Sequence, residues 1–178
     1  MIRRAAEFAA EAHKGTFRKG SRVPYIYHPM EVALIVAQMT TDEEVIAAAY
    51  LHDVLEDTDV TAAELEAQFG LRVLQLVAAE TEDKSQSWKA RKEMTIRHLE
   101  EAPREVKLLA LADKLSNMRT TARDYLMCGD RVWERFNEKA MESHRWYYGG
   151  LIEVLKDFEP DLAYQELKNL YKFVFGTC

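Results

Sequence analysis

The sequence contains little cysteine and no long apolar run, and both absences exclude classes of protein. Its two cysteines, Cys128 and Cys178, show no CxxC or Cys/His pattern of a zinc site, and we expect free thiols in a reducing compartment. No apolar stretch approaches a membrane span, and the N-terminus lacks the apolar core of a signal peptide. These absences predict a cytoplasmic protein with no membrane partner.

The charge is acidic, with a formal net value of -6. A protein that wraps nucleic acid or binds a membrane surface is normally basic, so we predict no nucleic-acid partner. A local basic pocket for a small anion remains compatible with this balance. The sequence does not indicate the oligomeric state.

Glycine and proline are also scarce, with 7 and 4 residues, whereas helix-forming residues are abundant. A length of 178 residues suggests one domain, and 48% apolar residues suffice for a core. No alternating strand pattern extends beyond a few residues. The expected fold class is therefore all-α, as a single compact domain.

Caps and apolar periodicity predict where the helices lie. Capping boxes are expected at Thr41 with Glu44 and at Thr61 with Glu64. The stretch TFRKGSRVPYIY should be a loop with an extended end, and Pro29 suits the first turn of a helix. The predicted helices include 3–13, 29–39, 88–101, 104–127, 130–157 and 161–174.

One short stretch concentrates charge beside an apolar helix. YLHDVLEDTD, residues 50–59, follows the apolar run VIAAAYL and contains His52, Asp53, Glu56 and Asp57. If the helix continues, one turn presents these four groups in one region. Unpaired buried carboxylates are costly, and a divalent cation would relieve their repulsion.

Two distant residues could complete such a site. His28 stands at a predicted helix start, and Asp113 lies in the apolar stretch VKLLALADKL. Together with His52 and Asp53 they offer nitrogen and oxygen ligands that suit Mn²⁺, Fe²⁺ or Zn²⁺. An open position could carry a water activated for attack on phosphorus.

Simpler interpretations exist for each residue taken alone. The His52–Asp53 pair could be an ion pair at a helix end, and Asp113 could pair with Lys114 or a distant arginine. His13 is expected to be structural, with its hydrogen bonds satisfied near the end of the first helix.

Four stretches in order resemble a known family: RKGSRVPYIYHP, AAAYLHDVLEDTD, FG at 69–70 and LALADKLSNMRT. Together they resemble the HD-type hydrolase domain of the RelA/SpoT family, and the chain's size is closest to the stand-alone small alarmone hydrolases. The match covers about residues 1–125 of one domain spanning 1–178, with C-terminal helices over about 130–175.

The resemblance implies an HD-domain helical fold and one Mn²⁺. It implies removal of the 3′-pyrophosphate from guanosine 3′,5′-bis(diphosphate), the alarmone of the stringent response, or from its pentaphosphate relative. The products would be GDP or GTP and pyrophosphate. A chain that ends at Cys178 has no room for the synthetase domain of long-form members, so we expect degradation and not synthesis, unless the chain is a fragment.

The resemblance also implies roles for individual residues. The family's metal ligands match His28, His52, Asp53 and Asp113. Its catalytic acids match Glu56 and Asp57, but the resemblance does not fix which carboxylate is the base. We expect Glu56 to orient or deprotonate the attacking water and Asp57 to steady the site. Its nucleotide contacts match Arg18, Lys19 and Asn117, with Thr120 as a further candidate.

Lys84 opens a local basic run in this acidic chain, continued by Lys89, Arg91 and Lys92. The run could bind the distal pyrophosphate, or it could be a solvated helix face. For the whole protein, two other functions remain open: hydrolysis of a different nucleotide, such as a deoxynucleotide or a nicotinamide dinucleotide phosphate, and non-catalytic nucleotide binding.

Overall fold

Helices account for the regular secondary structure, in agreement with the all-α prediction. The structure is a computed structural model that describes residues 1–82 and 84–176. Within these two ranges the chain has no β-strand, only an isolated antiparallel bridge between Phe17 and Pro24. Cys128 is a free thiol, as predicted, whereas Cys178 lies outside the described residues.

Backbone contacts divide the chain into two compact units. The first unit comprises Met1–Glu82 and Pro103–Asp113, and the second comprises 83–102 and 114–178. Helix α8, Arg104–Cys128, contributes residues to both units. The boundaries predicted for one domain, with a motif-bearing core over about 1–125, stay a prediction.

Helix α3 is central to the first unit. The helices that lie entirely within this unit are α1 (Ile2–Ala12), α2 (Tyr27–Ala37), α3 (Glu43–Leu51), α4 (Val54–Asp57), α5 (Ala62–Phe69) and α6 (Leu71–Glu80). Helices α1, α2 and α6 all pack against α3. Ala47, Ala48 and Ala49 are fully buried there, and their small side chains let neighbouring helices approach closely.

The helix caps agree with one of the two predicted capping boxes. Thr61 and Glu64 form the box at the start of α5, as predicted. The prediction at Thr41 is wrong, because Asp42 is the cap of α3 and its carboxylate accepts from the backbone N–H groups of Glu44 and Val45. A carboxylate at this position also interacts favourably with the positive end of the helix dipole.

The second unit is built around α9. The other helices that lie entirely within it are α7 (Trp88–Glu101) and α10 (Leu162–Phe175), which both pack on α9 (Met141–Val154). The unit also contains 3₁₀ turns at Gly129–Arg135 and Lys156–Phe158. The predictions of 88–101, 104–127 and 161–174 are confirmed to within one residue. Across residues 1–82 and 84–176, no helix is both long enough and apolar enough to cross a membrane.

The predicted continuous helix over 130–157 is wrong. The chain makes a 3₁₀ turn, becomes extended at Phe136 and starts α9 at Met141. This break lets the rings of Trp133 and Phe136 lie 5.0 and 5.1 Å from the His144 ring, measured between centroids. Residues 133 and 144 would stand about 16 Å apart along an unbroken helix, so aromatic packing favours the break.

Candidate metal centre

A break between α3 and α4 directs two predicted metal ligands, His52 and Asp53, to the same point. Helix α3 ends at Leu51, His52 and Asp53 form a turn, and α4 begins at Val54. The continuous helix assumed for this stretch is therefore wrong, although the Asp57 N–H still donates to the Asp53 carbonyl at 2.9 Å.

The four predicted metal ligands converge on one point. The Nε2 atoms of His28 and His52 lie 3.2 Å apart. The Asp113 Oδ1 atom lies 3.1 Å from Nε2 of His28 and 3.7 Å from Nε2 of His52. The Asp53 Oδ2 atom lies 3.0 Å from Nε2 of His52 and 3.5 Å from Nε2 of His28.

These distances suit a shared cation. Ligand atoms that meet one ion at right angles, each at about 2.1 Å, lie about 3 Å from one another. Among the described residues, His28, His52 and Asp113 form a buried group that could hold a metal ion, with its ligand atoms all within 4.8 Å. Asp53 lies beside this group and is 19% exposed.

Backbone contacts and helix packing orient these ligands. The Nδ1 atom of His52 lies 2.9 Å from the carbonyl oxygen of Ala49, which can only accept, so Nδ1 carries the hydrogen. Whenever the ring is neutral, as a metal ligand must be, the lone pair of Nε2 faces the cluster. His28 lies in the first turn of α2, and Asp113 lies on the apolar helix α8 with only 6% of its surface exposed.

The charges of the cluster shift the pKa values in opposite directions. Burial lowers the pKa of His28. Burial also opposes charge on His52, but Asp53 and Asp113 outweigh it and hold the pKa of His52 well above its ordinary value. Burial would raise the pKa of Asp53, whereas His52 and His28 lower it below its usual range. The carboxylates thus favour positive charge at the point where the ligands meet.

Tyr25 joins the cluster, and the sequence analysis did not identify it as a site residue. Its hydroxyl donates to Asp53 Oδ2 at 2.7 Å and to Asp57 Oδ2 at 3.3 Å. Burial, followed by the charge of Asp53, raises the pKa of the Tyr25 phenol far above its ordinary value, so the phenol stays a donor. The Tyr-x-x-His spacing to His28 was the available signal, since the two lie one helical turn apart.

The two predicted catalytic acids lie together on α4. Glu56 is half-buried, and its Oε2 atom accepts from the backbone N–H of Glu82 at 3.2 Å. Asp57 is exposed and accepts from Tyr25. The surroundings of the two carboxylates therefore differ, although the residues are adjacent.

The predicted substrate residues are divided between the two units. Arg18 and Lys19 lie in the first unit, in the turn closed by the Phe17–Pro24 bridge, and the Arg18 guanidinium carbon lies 5.6 Å from the centre of the Tyr25 ring. The second unit contains the other three, with Asn117 and Thr120 on α8 and Lys84 exposed before α7.

His13 differs from its prediction. It is buried at the end of α1, as a structural residue should be, and its ring lies 4.8 Å from the Tyr25 ring. Its Nε2 atom, however, has no hydrogen-bond partner within the described part of the chain, so the prediction of satisfied hydrogen bonds is wrong for this atom. Burial lowers the pKa of His13, which favours the neutral ring in this position.

Comparison with known proteins identifies the family of this fold and site. A family model described as an HD domain matches residues 5–134. The chain belongs to the HD-domain family. The named motifs all fall within the matched residues, so the family assignment covers the metal cluster as well as most of the helices.

Similar proteins bear the name guanosine-3′,5′-bis(diphosphate) 3′-pyrophosphohydrolase. Guanosine-3′,5′-bis(diphosphate) 3′-pyrophosphohydrolase MESH1 of Xenopus tropicalis is 38% identical over 149 residues, covering 82% of this chain and 80% of that protein. Guanosine-3′,5′-bis(diphosphate) 3′-pyrophosphohydrolase of Aquifex aeolicus is 43% identical over 123 residues, covering 67% of this chain and 17% of that protein.

A solved structure agrees with these relatives. The structure of a metazoan orthologue of SpoT, described as hydrolysing ppGpp, superposes with a TM-score of 0.83 at 26% identity and covers 99% of this chain and 96% of that one. The predicted resemblance to the RelA/SpoT hydrolase domain and the HD-domain fold are both confirmed.

Proposed function

We propose that this protein is a metal-dependent pyrophosphohydrolase that removes the 3′-pyrophosphate of guanosine 3′,5′-bis(diphosphate) or of its pentaphosphate relative. The observation that carries the proposal is the convergence of two imidazole nitrogens and two carboxylates next to α4, which bears Glu56 and Asp57. The names of the similar HD-domain proteins support the same substrate.

Four residues would hold the metal in this proposal: His28, His52, Asp53 and Asp113. Nitrogen and oxygen ligands without thiolate suit Mn²⁺, and also admit Fe²⁺ or Zn²⁺. A bound divalent ion would polarise a phosphoryl oxygen and increase the acidity of a water. The hydrogen bond from His52 to Ala49 prepares this ligand by keeping the Nε2 lone pair directed to the cluster.

Glu56 is proposed to act on the attacking water. Its carboxylate, oriented by the Glu82 N–H, would accept a proton from the water as the water oxygen forms a bond to the phosphorus next to the 3′-oxygen. The bond from that phosphorus to the 3′-oxygen breaks, and the 3′-oxygen takes up one proton, which balances the proton that Glu56 accepted from the water. The products are GDP or GTP and pyrophosphate.

Asp57 is proposed to steady this arrangement through Tyr25, whose hydroxyl it shares with Asp53. Arg18 and Lys19 are proposed as nucleotide contacts, since a guanidinium can stack on a purine and an ammonium pairs with phosphate. Asn117 and Thr120 stay predictions that come from the resemblance, and Lys84 stays a prediction that comes from the local basic run. The cytoplasmic location also stays a prediction, made from the composition of the sequence.

The test is product analysis by ion-exchange chromatography. Protein stripped of metal and reloaded with Mn²⁺, Fe²⁺ or Zn²⁺ is incubated with guanosine 3′,5′-bis(diphosphate), with and without chelator. The expected result is equimolar GDP and pyrophosphate, lost on chelation and greatest with Mn²⁺.

A nucleotide panel in the same assay separates the competing functions. One outcome is metal-dependent cleavage of a deoxynucleotide or a nicotinamide dinucleotide phosphate, without cleavage of the alarmone. That result would change the substrate assignment and leave the proposed metal site as it is. Inactivity on the whole panel by metal-loaded protein would contradict a hydrolase and favour a nucleotide-binding module.

A further inference from the structure

Tyr25 contacts residues with three separate proposed roles. Its hydroxyl reaches the proposed metal ligand Asp53 and the proposed catalytic acid Asp57, at 2.7 and 3.3 Å. Its ring lies 5.6 Å from the guanidinium carbon of Arg18, a proposed nucleotide contact.

The position of Tyr25 is well determined by its surroundings. The ring of His13 lies 4.8 Å away at an angle of 37°, and the ring of His28 lies 5.8 Å away, edge to face. The Tyr25 N–H donates to the Thr16 carbonyl at 2.9 Å, which closes the turn that carries Arg18. Neighbouring groups therefore hold both the backbone and the ring of Tyr25, and so fix where its hydroxyl meets the carboxylates.

From this geometry we propose that Tyr25 is a positioning residue that couples the metal centre to the Arg18 loop. Its hydroxyl holds the Asp53 carboxylate in the orientation that metal binding requires, and its ring supports the Arg18 guanidinium. Only the contact with Arg18 rests on the proposed function, since it concerns nucleotide binding. The contact with Asp53 does not, because metal binding is measured without substrate.

Two substitutions separate the role of the Tyr25 hydroxyl from that of its ring. Tyr25→Phe deletes the hydroxyl and keeps the ring, whereas Tyr25→Leu deletes both. Tyr27→Phe is the matched control. It removes the same hydroxyl group two residues away, from a side chain that is exposed.

The first measurement is the Kd for Mn²⁺, from competition with a fluorescent metal indicator in the absence of nucleotide. Loss of a hydrogen bond to a metal ligand typically weakens metal binding about ten- to a hundredfold. We expect a loss of that size for Tyr25→Phe and no change for Tyr27→Phe. A purely structural tyrosine would lower the melting temperature of the metal-free protein and leave the Mn²⁺ affinity of the folded fraction unchanged.

The second measurement is KM for guanosine 3′,5′-bis(diphosphate) at saturating Mn²⁺. Tyr25→Phe should retain the parental KM, and Tyr25→Leu should raise it about two- to fivefold, as expected for loss of one cation–π contact. Equal KM values for the two variants would overturn the coupling to Arg18.

The outcomes distinguish this inference from the proposed function. Parental Mn²⁺ affinity in Tyr25→Phe overturns the inference, whatever the parent hydrolyses. Weakened Mn²⁺ binding in Tyr25→Phe supports the role of the hydroxyl in positioning Asp53, even if the parent fails to cleave the alarmone. In that case only the proposed function is wrong. A parent that binds none of Mn²⁺, Fe²⁺ and Zn²⁺ overturns both.

Discussion

Glu56 and Asp57 are neighbours on α4, but each is held by a different donor. Glu56 accepts from a backbone N–H, which a side-chain substitution elsewhere cannot remove, and Asp57 accepts from a phenol. A carboxylate oriented by backbone keeps its place through changes at nearby side chains. This difference favours Glu56 as the group that orients or deprotonates the attacking water.

We expect Glu56→Gln to retain metal binding and lose turnover. The substitution keeps the acceptor oxygen for the Glu82 N–H and removes the basic carboxylate, so kcat should fall about 10²- to 10⁴-fold. The Kd for Mn²⁺ should stay at the parental value. Glu66→Gln, an exposed change on α5, is the control and should leave kcat unaltered. A Glu56→Gln enzyme with parental kcat would contradict the assignment.

His144 gives a prediction for pH, because its ring is buried in the aromatic core of the second unit. Burial lowers the pKa of His144, partly offset by the Glu138 carbonyl, to which Nε2 donates at 2.8 Å, and Lys92 lowers it further. A histidine with a depressed folded-state pKa binds its proton more readily when unfolded. Its contribution to the free energy of unfolding therefore declines as the pH falls below about 6.5.

The measurement is the free energy of unfolding in urea at about pH 7.5 and about pH 5.5. His144→Gln should show a smaller decrease between the two pH values than the parent, since one titrating group is gone. His98→Gln, at an exposed position on α7, should show the parental decrease. Identical decreases for all three proteins would contradict the role of His144.

At the scale of elements, the ends of the helices decide where the site residues stand. The Thr61–Glu64 box starts α5 soon after α4, and the Asp42 cap starts α3, whose other end carries His52. Both caps satisfy backbone N–H groups that would otherwise lack partners. The Asp42 cap fixes where α3 begins, before the His52–Asp53 turn, and the Thr61–Glu64 box fixes where α5 begins, after α4.

Paired alanine substitutions test this account of the caps. Thr61→Ala removes the acceptor for the Glu64 N–H and should reduce the free energy of unfolding by about 1 kcal/mol. Thr41→Ala should change it by less than about 0.5 kcal/mol, because Asp42 is the cap and Thr41 is exposed. Chemical denaturation of the two variants gives both values. A larger loss for Thr41→Ala would favour the capping box predicted from the sequence.

At the scale of the whole molecule, we expect the buried cluster to make the free energy of unfolding depend on a bound metal. Without a cation, carboxylates and imidazoles crowd one buried point, with ligand atoms 3.0 to 3.7 Å apart. A cation that binds the folded protein stabilises it by mass action, by about 2.7 kcal/mol at a hundred times the Kd. For a chain of this length that corresponds to a rise in Tm of about 5–10 °C.

We expect Mn²⁺ to raise the Tm of the parent by this amount and chelator to reverse the rise. Asp113→Asn removes one buried ligand charge and should abolish the increase, as followed by circular dichroism with and without Mn²⁺. Asp59→Asn, an exposed change of the same kind, should retain it. An Asp113→Asn protein that Mn²⁺ stabilises like the parent would exclude Asp113 from the metal site.

Local patterns in the sequence determined most helices, the Thr61–Glu64 cap and the residues that could form a metal site. These features depend on neighbours within about one helical turn, or on a motif that a family shares. The tertiary structure alone decided the break at 136–140, the unsatisfied Nε2 of His13 and the contact of Tyr25 with Asp53. Each of these depends on side chains brought together by packing across many residues, and helical periodicity carries no information about such distant contacts.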